Sequence, residues 1–443
     1  MVKMTSFAAR VPPLNSSLLA LCATHGIRLE ALAPLGASVR GVDLRKPPPQ
    51  EVLSALEIVM AERGFLVFKD QGVLTGDEQV RASELWGARK MHSTHGVHPK
   101  APNKHIFRLS NDRDEGILGV GPQWHNDGSF EREVFSHVGY HIVRVAEKGG
   151  GTIIAHQGAA YDALPAEEQE RWKRLVSVNS NSGVLHPLVH THPISKRMSV
   201  YLHLGMTGAV LEATPDPEDS TQLQALRLLS VEEMRDLFQT YNALLNSGFA
   251  TGDADVHASV PQYNSVVELR GFSPIEELNG KRGVVKGVFN RATGRIPIQL
   301  LGKGTSWISI KPENLVRVEN HGDDRCASFE TADAVDEEVE GSSTTLDGKG
   351  AYTTTYEYAE GDCVFIDNLA VAHRAAPAAH ESVQSQGLRI LHRSTIKARQ
   401  ALDPPYGLPW QLNIMGPNPL GDEGVWEGGG LGFRWDESIA MQN

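Results

Sequence analysis

Two side chains separated by one residue, those of His125 and Asp127, could bind a single metal ion. We expect the segment around them to be a β-strand, in which residues i and i+2 point to the same face. A neutral imidazole and a carboxylate on one face, completed by a distant histidine, form the facial triad of non-haem iron(II) oxygenases. Such a triad leaves coordination positions open for a cosubstrate and for dioxygen.

The third ligand is expected from a later strand, and His373 is the candidate. It follows the apolar stretch 363–366. Taken alone, this residue would more readily be a core or turn histidine, because histidines are commonly of intermediate burial. Its assignment as a metal ligand therefore depends on the other two residues.

Other histidines in the chain are weaker candidates. With 18 histidines, about one or two His-x-Asp or His-x-Glu triplets arise by chance. His321 and Asp323 form such a triplet, but they lie among glycines and acids, where no rigid strand would aim two ligands. A further group has a spacing that could bind metal, yet neighbouring prolines favour an extended, turn-like chain, so we interpret it as structural: His186, His190 and His192.

The elements that must position these residues are short strands with a few helices. Apolar periodicity predicts a helix at 49–64, followed by a buried strand at 65–68. Capping boxes of the Ser/Thr-x-x-Glu type open two more helices, at Thr75 and Ser230. Together with a helix at 165–175, the further predicted strands favour an α+β, mainly β fold, a sheet-rich barrel with helical decoration: 137–145, 152–156, 198–204, 352–358, 363–367 and 388–396.

An insertion separates the two parts of this fold. Within residues 252–350, strand and turn signals are dense from 278 to 318, which predicts a small five-stranded barrel at about 275–320 with a structural or partner-docking role. Residues 323–347 are acidic and poor in large apolar side chains, as in a mobile linker. The predicted domain boundaries follow: 28–251 and 351–402 for the two parts of the main fold, 252–350 for the insertion and 403–443 for a C-terminal tail.

Composition limits the partners of the chain. Its 443 residues carry a formal net charge of −12, which argues against a nucleic-acid or anionic-membrane partner, and no apolar run approaches the roughly 20 residues of a membrane-spanning helix. The three cysteines are odd in number and far apart, so a reducing compartment, the cytoplasm, is expected. The acid-free stretch 1–27 also fits an organelle transit peptide. A homo-oligomer is compatible with the sequence.

Six segments resemble, in the same order, the taurine dioxygenase family, which is also typified by 2,4-dichlorophenoxyacetate dioxygenase. They span about 330 of the 443 residues, and their ordered agreement is more specific than any single motif. The segments are Leu35–Leu44, Gly64–Gln71, Trp124–Phe130, Gly149–Thr152, His186–Pro193 and Leu388–Thr395.

The resemblance implies a double-stranded β-helix, or jelly roll, in which His125, Asp127 and His373 bind iron(II). It also implies that Arg389, helped by the hydroxyl of Thr152, grips the distal carboxylate of the cosubstrate 2-oxoglutarate. A guanidinium can hold a carboxylate through two parallel charge-assisted hydrogen bonds. The implied reaction consumes dioxygen, releases succinate and carbon dioxide, and oxidises a small molecule by hydroxylation, desaturation or oxidative cyclisation.

Arg393 and His92 stand at positions that family members use for the substrate. A buried arginine needs an anion or several acceptors, so an unpaired Arg393 beside the iron would indicate a carboxylate or sulfonate on the substrate. Alternatively, Arg393 pairs with a core acid such as Asp367 and never contacts the substrate.

The chain departs from the family pattern in three places. His125 and His373 are 248 residues apart because of the insertion. His373 and Arg389 are 16 residues apart, a few more than usual, so the loop between them is expected to be enlarged. Tyr358 stands where many members have tryptophan. Two other functions stay open: a non-catalytic cupin-like protein with a vestigial site, and a zinc hydrolase on the same ligands, in which Arg389 has no obvious role. The inserted segment resembles small SH3-like barrels that end in Lys-Pro-Glu-Asn-Leu, here residues 311–315.

Overall fold

A computed structural model of the chain describes residues 11–87, 90–91, 96–147, 149–216, 223–249, 266–270, 278–285, 296–301, 307–310, 314–317, 351–376, 379, 382–416 and 418. These residues divide into two compact units. The larger unit holds the described residues up to 249 and from 351 onward, and the smaller unit holds those from 266 to 317. None of the described helices is long and apolar enough to cross a membrane.

Local sequence signals set the ends of several helices. Thr75 and Ser230 each accept a hydrogen bond from the amide three residues on, and Glu78 and Glu233 accept one from the cap amide, so both predicted capping boxes are confirmed. Gly64, with a φ of 89°, ends the second helix in a conformation that suits glycine. The helices are α1 (Ser16–Thr24), α2 (Gln50–Arg63), α3 (Gly76–Ser83), α4 (Gln157–Asp162), α5 (Ala166–Trp172), α6 (Val231–Ser247) and α7 (Val383–Gln386), with a 3₁₀ helix at Glu84–Trp86.

Strands outnumber helices in the described residues, which confirms a mixed, mainly β fold. They are β1 (Arg28–Ala31), β2 (Ala37–Arg40), β3 (Phe65–Phe68), β4 (Lys90–Met91), β5 (Phe107–Ser110), β6 (Phe135–Arg144), β7 (Thr152–His156), β8 (Leu175–Asn179), β9 (Leu185–Pro187), β10 (Val189–Thr191), β11 (Met198–Val200), β12 (Thr207–Pro215), β13 (Leu223–Leu228), β14 (Val266–Leu269), β15 (Arg282–Val285), β16 (Ile296–Leu300), β17 (Trp307–Ile310), β18 (Leu315–Arg317), β19 (Thr353–Tyr356), β20 (Cys363–Asp367), β21 (Val371–Ala375) and β22 (Ile390–Lys397).

The larger unit is built around an eight-stranded sheet. Its order is β1-β2-β3-β20-β6-β22-β4, with β5 beside β22, and a second sheet has the order β19-β7-β21. Apolar side chains of both sheets share one core, among them Val138 and Leu391 from the first and Ile154 and Val371 from the second. Each fully buried aliphatic side chain of this kind contributes about 1.5–3 kcal/mol relative to exposure. The two sheets therefore pack face to face, and the predicted site residues His373, Thr152 and Arg393 lie on their strands.

Two predicted strands differ from the observed ones. The strand expected at 198–204 is limited to Met198–Val200. The segment around His125 is not a strand, because only this residue is paired, in an isolated bridge to His373. The chain then enters a turn in which Gly128 has a φ of 85°. The argument that His125 and Asp127 share a face because they lie on one strand was therefore wrong.

The smaller unit is a five-stranded antiparallel sheet of order β17-β16-β15-β14-β18. Its apolar core includes Val267, Ile298 and Leu315. The first strand, Val266–Leu269, lies before the predicted start of the barrel at about residue 275. The proposed linker at 323–347 lies outside the described residues.

We predict that the insertion can be removed without loss of the larger unit. The amides of Tyr352 and Thr353 donate to the carbonyl of Gly248, at 2.7 and 2.9 Å, so the chain ends that flank the insertion are adjacent. Replacing residues 252–350 with a Gly/Ser linker of about six residues should leave one cooperative unfolding transition, with a Tm within about 5 °C of the full chain. Differential scanning calorimetry measures this. Loss of cooperative unfolding would show that the larger unit needs the insertion.

Candidate active site

Two histidines that are far apart in sequence are joined through their backbones. The amide of His125 donates to the carbonyl of His373 at 3.1 Å, and the amide of His373 donates back at 3.0 Å. Because both residues take part in one bridge, their imidazoles lie side by side, with ring centroids 4.3 Å apart.

Asp127 completes a compact set of three metal-ligating side chains. His125 Nε2 lies 3.9 Å from one carboxylate oxygen of Asp127, and His373 Nε2 lies 3.6 Å from the other. One ligating atom of each residue lies within 4.8 Å of the other two, and all three residues are buried. Within the described part of the chain, this is the one group of three or more such residues with that geometry.

The protonation states suit a divalent cation. Burial lowers the pKa of His125, and burial together with His125 lowers the pKa of His373 to about 3, so both imidazoles are neutral near pH 7. Burial opposes ionisation of Asp127, but Arg393, followed by His373 and His125, lowers the pKa of its carboxyl to about 2. Two neutral imidazoles and a carboxylate are the forms in which these side chains bind metals.

The hydrogen bonds of the two imidazoles differ. Nδ1 of His125 lies 2.7 Å from the carbonyl oxygen of Gln123, which can only accept, so Nδ1 carries the proton and Nε2 keeps its lone pair. The hydroxyl of Tyr140 lies 3.2 Å from Nε2 of His373, the atom that faces Asp127, so a metal ion bound there would replace this contact. The residues present therefore fit a metal ion bound through Asp127 and the two Nε2 atoms.

A cavity beside these ligands contains two arginines. His125, His373, Thr152, Arg389 and Arg393 all line it. Arg389 is buried, at 6% exposure, and its Nε has no hydrogen-bond partner among the described residues. Since arginine remains charged even when burial lowers its pKa, as it does here, this guanidinium is a buried cation without a carboxylate partner in that part of the chain.

The backbone of Arg389 is fixed by residues outside the loop that precedes it. Its amide donates to Asn111 Oδ1 at 2.9 Å, and its carbonyl accepts from the hydroxyl of Ser110 at 2.8 Å. Gly150 has a φ of 86°, and a Cβ atom there would lie only 3.1 Å from Cδ of Arg389. Glycine at this position therefore leaves room for the arginine side chain.

A family model described as "Taurine catabolism dioxygenase TauD, TfdA family" matches residues 28–250, half of the chain, which include His125, Asp127 and Thr152. The chain belongs to this family.

Relatives of this TauD/TfdA chain share limited identity with it. The "Alpha-ketoglutarate-dependent sulfonate dioxygenase" of Saccharomyces cerevisiae is 22% identical over 220 residues, 44% of this chain and 53% of that protein. "Pentalenolactone F synthase" of Streptomyces arenae is 28% identical over 233 residues, 43% and 75% of the two chains. The "Alpha-ketoglutarate-dependent 2,4-dichlorophenoxyacetate dioxygenase" of Cupriavidus pinatubonensis is 27% identical over 229 residues, 44% and 79%. The match thus spans about half the length of the yeast protein.

Arg393 is not the unpaired arginine that the anionic-substrate argument assumed. Its Nη1 donates to both carboxylate oxygens of Asp127, at 3.0 and 3.3 Å, and its guanidinium lies over the ring of Phe107. The alternative prediction, that Arg393 pairs with a core acid such as Asp367, named the wrong acid. Asp367 instead contacts His192 at 3.0 Å and accepts from the backbone amides that follow it.

The other histidines that the sequence analysis named are outside this TauD/TfdA site or outside the described residues. His186 contacts the carbonyl oxygen of Ser129 and His192 contacts Asp367, as structural residues do. His190 is buried, and neither of its ring nitrogens has a hydrogen-bond partner in the described chain. His92, His321 and Asp323 lie outside the described residues.

Three residues of the site were missed by the sequence analysis. Tyr140 faces the cavity from β6, opposite Arg393 in the strand register, and strand alternation could have indicated it. The hydroxyl of Tyr358 donates to Thr152 Oγ1 at 2.6 Å, and this residue was noted only as a departure from the family pattern. Asn368 hydrogen-bonds to the backbone of Asp127, which no local pattern predicts.

We predict that His373→Ala abolishes stoichiometric metal binding. The change removes one of two imidazoles from a three-residue set, so anaerobic titration with Fe(II) should give an affinity weakened by more than about 100-fold, beyond the range for an outer-shell partner. His190→Ala is the matched control, because it removes a buried imidazole elsewhere in the fold. Equal Fe(II) affinity in the two variants would rule out this ligand assignment.

Proposed function

We propose that the chain is an iron(II)- and 2-oxoglutarate-dependent oxygenase that oxidises a small anionic substrate and releases succinate and carbon dioxide. The observation that carries the proposal is Arg389, a buried guanidinium without a salt bridge to a carboxylate among the described residues, in the cavity that His125 and His373 also line. A buried charge of this kind requires an anion. Family membership supports the same reaction.

The two packed sheets are, in this proposal, a double-stranded β-helix. Metal ligands come from β21 and from the segment bridged to it, while Arg389 immediately precedes β22 and Arg393 lies within it, on the opposite sheet. A jelly roll places inward-facing side chains of two sheets around one interior volume. The insertion is a separate module with a structural or docking role.

2-Oxoglutarate suits this cavity because it carries a carboxylate at each end. Its keto-acid end would bind the metal held by His125, Asp127 and His373, and its distal carboxylate would accept hydrogen bonds from Arg389. Thr152 adds a hydroxyl that is held in place by Tyr358. The protein thereby orients the cosubstrate and excludes water, while bound iron supplies the oxidative decarboxylation.

The outcome of the reaction depends partly on Asp127. Related halogenases have a small residue at this position, and a halide binds the metal instead. Because Asp127 supplies a carboxylate here, hydroxylation, desaturation or oxidative cyclisation is expected rather than halogenation. Neither a zinc hydrolase nor a vestigial binding protein gives Arg389 a role in chemistry. Formation of succinate from 2-oxoglutarate with Fe(II), but not with Zn(II), separates the oxygenase from both.

The charges around the cavity favour an anionic substrate. Iron(II), Arg389 and Arg393 bring four positive charges, while Asp127 brings one negative charge and 2-oxoglutarate two, which leaves one positive charge in a buried site. A substrate carboxylate or sulfonate would neutralise it. Arg393 can bind such a group although it contacts Asp127, because its Nε has no partner among the described residues. Two of the relatives are named for a sulfonate and for an aryloxyacetate.

We predict that Arg389→Met weakens 2-oxoglutarate binding strongly. Methionine keeps much of the apolar volume but leaves the distal carboxylate without its bidentate partner, which costs about 2–5 kcal/mol, roughly 30-fold or more in Kd. Anaerobic titration of the Fe(II)-loaded protein with 2-oxoglutarate measures the effect. Arg108→Met is the control, since Arg108 is a partly buried arginine paired with Glu115. An unchanged affinity in Arg389→Met would refute the assignment.

We predict that Arg393→Gln discriminates between charged and neutral substrates. A panel of carboxylates and sulfonates, each compared with its neutral amide, is screened for succinate formation at saturating metal. The variant should lose about 10- to 100-fold in kcat/KM for the best anion, the scale of 1.4–3 kcal/mol for a charge-assisted hydrogen bond, and much less for the amide. An equal loss of kcat/KM for the anion and for its amide would mean that Arg393 acts only through Asp127.

A further inference from the structure

Asp127 lies where the backbone pairing of the site ends. The bridge at His125 is isolated, and two residues later the chain is already in a turn. Asp127 therefore has no partner strand among the described residues, although its carboxylate must meet two imidazoles that the bridge holds rigidly. Another group has to fix the backbone of Asp127, since a ligand on an unpaired turn would lose its direction.

The side-chain amide of Asn368 makes the two hydrogen bonds, to the N–H and the carbonyl of Asp127, that a neighbouring strand would otherwise make. Its Oδ1 accepts from the amide of Asp127 at 2.8 Å, and its Nδ2 donates to the carbonyl of Asp127 at 2.9 Å. Nδ2 also donates to the carbonyl of Phe135 at 2.7 Å. Among side chains, only a carboxamide offers a donor and an acceptor in the arrangement of a peptide group. The amide orientation is fixed, because the opposite one would put NH₂ against N–H and oxygen against two carbonyls.

Asn368 is itself rigidly held and belongs to the segment that carries His373. It lies in the turn between β20 and β21, is fully buried, and donates from its own amide to the carbonyl of Ser136 at 2.8 Å. Its carbonyl accepts from the side chain of Asn126, the residue between the two ligands, at 2.6 Å. The amide therefore ties Asp127 to the turn that leads into the third ligand.

We propose that Asn368 is a positioning residue that aims the carboxylate of Asp127 before metal binds. This inference rests on the proposed function, in which Asp127 is an iron ligand. Without the amide, the carbonyl of Asp127 would keep only the hydrogen bond from the hydroxyl of Tyr201, at 3.1 Å, and its N–H would lose Asn368. The carboxylate would then follow Arg393, which already contacts both of its oxygens. Metal affinity would then fall, because part of the binding free energy would be spent on reorienting the ligand.

A purely structural role is separated from positioning by a matched control. Gln71 is buried and also uses its amide to bridge backbone, accepting from Leu44 N at 2.9 Å and donating to the carbonyls of Val42 and Lys69 at 2.8 Å. It lies in the loop before α3, outside the metal-ligand set. Gln71→Ala and Asn368→Ala thus remove similar hydrogen-bonding groups, and similar losses in Tm are expected for both.

The experiment compares Fe(II) affinity, measured by anaerobic titration, in wild type, Asn368→Ala and Gln71→Ala. Asn368→Ala should bind Fe(II) roughly 10- to 100-fold more weakly than wild type, the range for loss of an outer-shell partner, while Gln71→Ala should bind as wild type does. Asn368→Asp should also be weakened, because it keeps the acceptor for Asp127 N–H but faces two carbonyls with oxygen. Wild-type affinity in both Asn368 variants would overturn the proposal.

Two further results keep the tests of this role and of the proposed function separate. If wild type itself fails to bind Fe(II), the proposed function is wrong. If wild type binds Fe(II) and neither Asn368 variant folds, amide hydrogen exchange in the metal-free wild-type protein tests whether Asn368 holds Asp127 in place. The Asp127 amide should then be protected to the same degree as the bridged amide of His125. Rapid exchange of Asp127 beside a protected His125 would show that the ligand is not aimed in advance.

Discussion

The site depends on one backbone interaction, the bridge between His125 and His373. These residues are separated by 248 positions in the sequence, yet two amide-to-carbonyl hydrogen bonds place their imidazoles together. The entropy of closing a loop grows only slowly with length, by about 0.6 kcal/mol for each doubling, so an insertion between the ligands costs little. The hydrogen bonds at Gly248 reduce that cost further for the larger unit, because they close the insertion locally.

Two buried arginines give the cavity its chemical character, and the structure treats them differently. Arg393 is neutralised by Asp127, which keeps that carboxylate ionised and ready for a cation. Arg389 makes no salt bridge in the described chain, and Glu357, the acid whose charge acts on it, is exposed to solvent, so an entering anion would balance the buried charge. These charges therefore favour a cation at Asp127 and a carboxylate at Arg389. The cation offsets the negative charge of Asp127, which would repel the carboxylate, and the carboxylate offsets the positive charge of Arg389, which would repel the cation.

Local signals in the sequence predicted much of the fold. The capping boxes at Thr75 and Ser230 and the buried strand at 65–68 were correct because each depends on neighbouring residues alone. Strand Val266–Leu269 was missed because its four residues carry no turn signal and gain their place only by pairing with β15 and β18. His125 and Asp127 do lie close together, but not because they share a strand, since no local pattern shows that strand pairing stops at His125.

The position of Arg389 does not depend on the loop that joins it to His373. The extra residues raised doubt about the alignment of Arg389, because a longer loop constrains its ends less. The arginine is instead held by β5 and its neighbour Asn111, through contacts at both its amide and its carbonyl, and by the room that Gly150 leaves. Its position is thus set by the neighbouring strand rather than by the length of the loop, whose effect on the alignment of Arg389 had been in doubt.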